Sequence, residues 1–455
     1  MTICVVAYKF GTEKEIGEHL GSYHYFIQKM RVLVEKGHKV FVVAPWLSFT
    51  KKGSENIDGV KVIRYYPPML NKAKVFPVNR IIRWVYIKQT QRQVLKLDQQ
   101  ENLDVVYVWQ ARETGYAISK IKSKLKAPFI FRQITAWHWH FNRPIQEILA
   151  HDTLFKIMAK LSRSLANQFG LFLLDRKTHK KYADVIYEKA DKIVFLSQAA
   201  IEEGKKLGLD ESKAEIIGVA IEEDEFKPMH DKRSLRQKLG LDDKLTILFV
   251  GRVNFAEKGV GILLEASTQA RKKINDFQLI LIGGGEDDKM KSEIDKLSIM
   301  EIAKPIGKKS FSELVEYINA ADAVVVPSIW MEAFGMITIE AMSCGVPVIT
   351  SDAGASPEIN INDETGFVVP KNNAEALSQA IVKMLKDKPM REKFGKQARE
   401  RVLQNYTYEV LVNKFLNWLC LILNSVAYSH CSRLGKSSDS SVLSMKQLSP
   451  ARIIK

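Results

Sequence analysis

Short apolar runs rich in β-branched residues alternate along most of this chain with longer stretches whose apolar positions recur every three or four residues. In the first half the runs predict strands at 2–6, 39–43, 104–108, 128–132 and 192–196, and the longer stretches predict helices over 20–36, 78–97 and 198–207. Residues 143–188 read as mostly helical, with no strand-like run. The alternation then restarts, with strands at 246–250, 278–282, 323–326, 346–350 and 367–369, and helices near 260–273, 287–297 and 336–343 and over 374–404. Such alternation belongs to parallel sheets covered by helices.

Two blocks of about 200 residues each predict an α/β protein with two doubly wound domains facing across a cleft. A length of 455 residues suits two or three domains. The break falls between Ile217 and Leu245, where GVAIEEDEFKP and a charged stretch interrupt the pattern. The blocks are not a detectable repeat. We therefore expect one domain over 1–220, a second over 221–405, and a helix over 406–424 that packs back on the first domain. Past Ser425 the chain turns Ser-rich and loses periodicity, so residues 425–455 are expected to form a disordered tail.

Hydrophobic residues at 46% and charged residues at 26% are ordinary for a globular protein and exclude wholesale disorder and fibrous repeats. No run reaches the ~18 apolar residues that a membrane span needs; the closest, 415–428, is broken by Asn417 and Asn424. The opening MTICVVAYKF is too brief for a signal peptide and reads as a strand. Cys4, Cys344, Cys420 and Cys431 have no C-x-x-C spacing, which argues against a zinc site or disulfide framework and makes a reducing cytoplasm the default. A net charge of +16, from 68 Lys+Arg against 52 Asp+Glu, points to phosphorylated ligands, an anionic membrane or nucleic acid. No nucleic-acid-binding module is visible, so the last explains it poorly.

In open parallel sheets, ligands bind outside the C-terminal strand ends near a topological switch point. There the chain concentrates its unusual residues. After TILFV comes GRVNFAEKG, with Arg252 and Lys258 on one loop between Gly251 and Gly259. Two cations beside a helix N-terminus suit a diphosphate, because helix amides and side-chain charges add. The next strand ends in LIGGGEDD, where Gly283, Gly284 and Gly285 allow close backbone approach to a ligand or simply a tight turn. We place Gly251 and Gly284 among the ligand-binding positions. VVVPSIWMEAFGMITIEAMSCGVPVIT then carries Glu332 into a helix opening near Phe334, Gly335 and Met336, with Glu340 one to two turns inside. Eight residues span ~12 Å if wholly helical, an order that suits carboxylates gripping separate hydroxyls of an elongated ligand. Glu340 alone could be a dipole-favoured surface carboxylate, but its apolar setting implies burial with partners.

GRVNFAEKG, LIGGGE, PSIWMEAFGMITIEAMSCGVPVIT and the later GFVV resemble the C-terminal domain of the family 4 retaining glycosyltransferases, the group 1 transferases. Their fold is GT-B, two Rossmann-like domains facing across a cleft. E-AFGMITI-E matches that family's E-x7-E motif. The resemblance implies that Arg252 and Lys258 neutralise the donor diphosphate, that Glu340 binds the ribose hydroxyls, and that Glu332 contacts the transferred sugar. The backbone at Phe334, Gly335 and Met336 would hold sugar and phosphate oxygens. The likeness is strongest over 245–370 and extends over most of the first 220 residues, fading within 135–190 and in the tail.

The family's first helix typically opens at a Gly-Gly turn and ends in Gly-His. Here Gly37–His38 supply the end, and counting back lands on Gly21, preceded by Leu20 instead of glycine. One glycine suffices for an amide near the distal phosphate. KFGTEKEIGEHLG, residues 9–21, is longer than the family needs and could close over the donor or shape acceptor choice. A histidine after a central strand often contacts the sugar in this family. APFIFRQITAWHWH offers His138, which we nominate, and His140; in the alternative, either packs among Trp137, Trp139 and Phe141. At the domain crossing Ala220 and Glu222 stand where Gly and Asp are common in the family.

The resemblance implies transfer of a glycosyl group from a nucleotide-sugar, with UDP the expected base, to an acceptor hydroxyl with retained configuration, as in glycan, glycolipid or polysaccharide synthesis. Fixed cations and helix amides can stabilise the leaving diphosphate. No D-x-D-like motif stands in a matching position, so metal independence and no further cofactor are expected. No carboxylate nucleophile is nominated, which favours a front-face reaction. Residues 67–97 hold seven Lys/Arg and no acid, interleaved with Val75, Phe76, Ile81, Ile82, Trp84 and Tyr86. Residues 154–165 set Lys156, Lys160 and Arg163 against Leu154, Ile157, Met158 and Leu161. Both read as contacts to an anionic membrane surface, or as charged helix exteriors on their own domain. Two rivals remain: a non-catalytic homologue that binds a nucleotide-sugar or a partner transferase, and a nucleotide-sugar epimerase, which the E-x7-E setting disfavours.

Overall fold

The computed structural model describes residues 1–16, 22–50, 53–67, 78–109, 112–135, 137–142, 176–229, 231–274 and 276–433. The chain divides into two compact units, Met1–Val412 and Asn413–Lys455. The first holds two sheets.

The N-terminal sheet contains β1 (Thr2–Ala7), β2 (Lys39–Pro45), β3 (Asn56–Ile57), β4 (Val60–Tyr65), β5 (Val105–Trp109), β6 (Phe129–Arg132), β7 (Lys192–Phe195) and β8 (Ala214–Ile216). Its order is β3-β4-β2-β1-β5-β6-β7-β8, parallel except for the β3–β4 hairpin. The second sheet contains β9 (Leu245–Val250), β10 (Phe277–Ile282), β11 (Ala303–Gly307), β12 (Ala323–Val326), β13 (Val348–Ser351) and β14 (Gly366–Val369), in the order β11-β10-β9-β12-β13-β14, all parallel. Strand order reverses beside β1 in one sheet and beside β9 in the other, the doubly wound plan.

Burial explains why the apolar runs are legible as strands. Every residue of β5, β10 and β12 is buried, so each presents a continuous apolar run rather than an alternation. Two hydrophobic clusters cover the faces of the second sheet. One of them also takes in Leu196, Ile221 and Phe226, from the end of β7 and the crossing segment, so the core continues beneath the junction of the two sheets. At that junction the Ile221 amide donates to the Tyr406 carbonyl at 2.8 Å.

The elements missing from the pattern are short or sit at edges. β4 alternates buried and exposed positions beside an Asp58–Gly59 turn, and β11 (AKPIG) carries Pro305 at a sheet edge. Helices Arg112–Ser119, Lys232–Lys238 and Phe311–Ala320 also went unpredicted, although the last opens with a Ser310–Glu313 capping box. The strand expected at 346–350 begins instead at Val348, just after Pro347, which has no amide to donate.

In the second unit, the described residues continue the helix Tyr408–Arg433, which runs past Ser425, where regular structure was expected to stop. Residues 434–455 lie outside the described residues, as do 68–77 and 143–175, and with them Gly21 and the whole basic segment 154–165. No described helix is long and apolar enough to cross a membrane.

Candidate active site

The loops after β9 and β12 leave the second sheet at its switch point, side by side. The amides of Ile329 and Trp330 both donate to the carbonyl of Glu257, at 2.8 and 3.1 Å, which ties the two loops together. Gly259 makes this approach possible. Its φ is +66°, and a Cβ there would lie 1.9 Å from the Pro327 carbonyl oxygen.

The predicted charges meet here. Lys258 Nζ is bonded to the carboxylate of Glu332, which also accepts a 2.6 Å hydrogen bond from Ser328 Oγ. The ammonium lies 5.7 Å from the centre of the Trp330 ring. Arg252 is paired with Glu257, but its side chain is 61% exposed against 4% for the glutamate. In the free protein each cation is thus held by a carboxylate. Lys258 lies inside the cleft, and Arg252 can swing on its long stem toward an incoming anion.

Both helices at this junction start on left-handed glycines. Val260–Arg271 follows Gly259 and Met336–Ser343 follows Gly335 (φ +107°), and neither N-terminus receives a side-chain cap from any described residue. The helices starting at Gln198, Phe311, Ala374 and Lys388 are capped by Ser197, Ser310, Asn373 and Asp387. Free first-turn amides with the positive end of the helix dipole favour an anion between these two helices. Phe334 does not face open space: it is buried between Gly218 and the Tyr406 ring, with ring centres 5.7 Å apart. Within the glycine triplet, Gly283 has φ +143° and presses on the Gly251 carbonyl, where a Cβ would come within 1.8 Å. Gly284 instead lies beside the Lys308 side chain. Gly285 (φ +151°) is likewise pressed, with the Val253 carbonyl oxygen 2.4 Å from an added Cβ, so the backbone requires both outer glycines of the triplet.

Glu340 is buried, and its carboxylate accepts a 2.6 Å hydrogen bond from Tyr25 on helix Ser22–Glu35 of the N-terminal sheet. Burial pushes its pKa up to about 7, although the Tyr25 hydroxyl and nearby His24 both favour the charged form. The same burial, together with the carboxylate, raises Tyr25 well above the usual phenol range. His24 Nε2 lies 3.4 Å from Glu222 Oε1 at the domain crossing. Burial acts to raise the Glu222 carboxyl, yet hydrogen bonding with His24 and Glu225 holds it below the usual range.

The N-terminal side adds contacts that sequence reasoning missed. Ser197 donates from Oγ to the Ala333 carbonyl at 2.9 Å, next to Glu332. The amides of Gln198 and Ala199 both donate to Glu358, each at 2.8 Å, so a carboxylate of the second sheet's side occupies this helix N-terminus. The Ala355 amide, just before the helix Ser356–Ile359 that carries Glu358, holds the Glu332 carbonyl at 2.8 Å. The only signal for Ser197 in the sequence is a serine directly after a strand, a common helix cap. His138 Nδ1 lies 3.2 Å from Glu203 Oε2. In the same helix, Trp137 packs against Phe131 and stacks on Tyr187. The His140 side chain lies outside the described residues.

Two doubly wound domains, with Lys258, Arg252 and two uncapped helix N-termini at the switch point of the second, have the GT-B plan. The family model for glycosyl transferases group 1 matches residues 231–401, and that for Glycosyltransferase Family 4 matches residues 21–225. The chain belongs to the group 1 glycosyltransferases. It is 24% identical over 417 residues to the N,N'-diacetylbacillosaminyl-diphospho-undecaprenol alpha-1,3-N-acetylgalactosaminyltransferase of Campylobacter jejuni, covering 90% of this chain and 98% of that one. It is 29% identical over 171 residues to the phosphatidyl-myo-inositol mannosyltransferase of Mycobacterium leprae, covering 38% of this chain but only 45% of the relative's own length. Among solved structures, sucrose-phosphate synthase from Thermosynechococcus elongatus superposes with a TM-score of 0.70 at 19% identity, over 93% of this chain and 100% of that one. HepE from Anabaena in complex with UDP gives 0.66 at 17%, over 92% and 100%. At these identities the two structures speak for the fold.

Proposed function

We propose that this protein transfers a glycosyl group from a nucleoside-diphosphate sugar, with UDP as the expected base, to a hydroxyl of a lipid-linked or glycan acceptor, retaining the anomeric configuration and using no metal ion. The observation that carries this reading is the convergence of Lys258, Glu332 and Ser328 between two uncapped helix N-termini at the switch point. On donor binding, the diphosphate takes over Lys258 and Arg252 from their carboxylates and accepts from the free amides at Val260 and Met336. Glu332, released from Lys258, is then available to the sugar hydroxyls. Glu340 turns from Tyr25 to the ribose.

In the transfer step the bond from the anomeric carbon to the diphosphate oxygen breaks while the acceptor oxygen bonds to the same face. The acceptor proton passes to the departing diphosphate, whose growing charge the fixed cations and amides stabilise without reorganising. The names of the Campylobacter and mycobacterial relatives, an undecaprenol-diphosphate and a phosphatidylinositol transferase, support a lipid-linked acceptor at a membrane surface.

A panel of UDP-, GDP- and ADP-sugars, read by nucleoside diphosphate release, tests this reading. Release that depends on acceptor supports transfer, donor binding without release supports a non-catalytic homologue, and interconversion of the sugar indicates an epimerase. Turnover lost on chelation with EDTA would overturn metal independence.

A further inference from the structure

A groove of about 580 Å³ lies on the flank of the N-terminal sheet, between helices Val78–Glu101, Arg112–Ser119 and Arg176–Lys189. Helix Arg112–Ser119 leads from the end of β5 back toward the start of β6. Lys120 and Lys124, which follow it, therefore stand toward the sheet edge opposite the candidate active site. Across the groove, Arg80, Trp84, Ile87 and Gln91 line one face of the long helix at three- and four-residue spacing.

Cations dominate this groove. Arg80, Arg83, Lys88, Lys120 and Lys124 contribute to its walls, and no described lining residue is acidic. Arg83 has Glu113 behind it at 3.8 Å. Lys88, Lys120 and Lys124 make no ion pair with any described residue, and Glu188, which feels the Lys120 charge, is itself bridged by Lys189 at 2.7 Å. Tyr116 and Tyr182, stacked with centres 4.1 Å apart, add an aromatic surface. At the rim Trp84 is 61% exposed, and Ile81 on the same helix is 59% exposed. A lysine-rich flank meant only for water has no use for a bare indole. An indole among lysines and arginines is the arrangement of a headgroup layer, where the ring sits at the interface and the cations meet anionic lipid.

We propose that this groove seats the phosphate of an anionic phospholipid at a bilayer surface, with Trp84 and Ile81 entering the headgroup layer. This goes beyond the proposed function and does not rest on it: Lys120 and Lys124 stand at the end of the sheet away from the candidate active site, so the contact is a bilayer anchor of the N-terminal domain. Arg80, Arg83, Trp84 and Lys88 belong to the basic run 67–97 read from the sequence, and Lys120 and Lys124, outside both basic runs, complete the groove.

Flotation of the full chain with vesicles of phosphatidylcholine alone, and of phosphatidylcholine with about a third phosphatidylglycerol, tests it at low salt. The wild type is expected to float with the anionic vesicles only, and less as salt rises. The combined variant Lys88→Glu, Lys120→Glu, Lys124→Glu, at exposed positions, is expected to lose at least about tenfold in apparent affinity while keeping its thermal midpoint. Trp84→Ala is expected to weaken binding without changing its salt dependence. Equal flotation of wild type and triple variant, binding to neutral vesicles alone, or no binding at all would overturn the proposal. So would stabilisation by inorganic pyrophosphate through the same lysines without vesicle binding, since that assigns the groove to a soluble phosphate. Donor-dependent nucleoside diphosphate release is read separately, so a protein that floats but releases nothing refutes the transferase reading and leaves the groove standing.

Discussion

The hydroxyl of Tyr25 donates a 2.6 Å hydrogen bond to the carboxylate of Glu340, although the two residues stand 315 positions apart. One lies on the first long helix of the N-terminal sheet and the other on the helix after β12, so the bond bridges the cleft at the residue expected to hold the ribose.

Burial sets the pH behaviour of this pair. Glu340 has a folded pKa raised to about 7, so its proton is held more tightly in the folded than in the unfolded chain. Its stabilising contribution is complete below the ordinary carboxyl range and is lost as pH rises through about 7. The thermal midpoint of the free protein is therefore expected to fall between about pH 5 and pH 8. Glu340→Gln should flatten that fall, make the protein more stable than wild type at the alkaline end, and weaken donor binding by about tenfold. A variant with an unchanged pH profile would show that Glu340 is ionised in the fold.

Arg252 and Lys258 are each paired with a buried carboxylate, so their variants combine a loss of turnover with a loss of stability. Arg252→Ala and Lys258→Ala are each expected to lower turnover by about a hundredfold to a thousandfold in a nucleoside diphosphate release assay. Lys258→Ala should also lower the thermal midpoint, because among the described residues it leaves the buried Glu332 carboxylate with Ser328 alone as a side-chain partner. Arg252→Ala should lower it too, since Glu257, whose side chain is 4% exposed, loses its cation. Wild-type turnover in either variant removes that cation from the donor site.

Ser197 holds the loop carrying Glu332 from the opposite side of the cleft, and Glu358 clamps the start of the helix that Ser197 caps. Ser197→Ala and Glu358→Gln are expected to reduce kcat by about tenfold while leaving the donor Kd near wild type. Ser197→Thr, which keeps the hydroxyl, should restore most of the loss. A rise in donor Kd with kcat preserved would instead place the contact in ground-state binding.

Gly259 and Gly240 form a matched test, since both have φ +66°. At Gly240 nothing lies within 4 Å of an added Cβ, whereas at Gly259 the Pro327 carbonyl would be 1.9 Å away. Alanine at 240 is expected to cost about 1 kcal/mol, the ordinary penalty of the left-handed conformation. Alanine at 259 should cost more than about 2 kcal/mol in denaturant unfolding and disturb donor binding as well, because the two switch-point loops must separate. Equal costs would mean that the loops relax freely.

Much of the fold was legible because central strands of a parallel sheet are buried on both faces. TICVVA, VVYVW, FQLILI and AVVV announce themselves by composition alone. What escaped was marginal in that signal: β11 with its proline, the alternating β4, and helices of ten residues or fewer. Arg252, Lys258, Glu332 and Glu340 were found from spacing, since each sits on or just after a loop leaving a strand's C-terminal end. Their partners could not be found that way. Tyr25, Ser197 and Glu358 reach the site from other parts of the chain, and nothing local marks them.

The sequence by itself determined two parallel α/β domains, the loops that carry the charges, and the family, because short-range patterning dictates strands, helices and turns. Only the tertiary structure decided which carboxylate each cation holds, that Glu340 is buried against Tyr25, that His138 lies beside Glu203, and that three basic residues of one long helix and two that follow the next helix line one groove. Those outcomes depend on distances between segments far apart in the chain. Chain order leaves such distances open until the packing of the sheets and helices closes them.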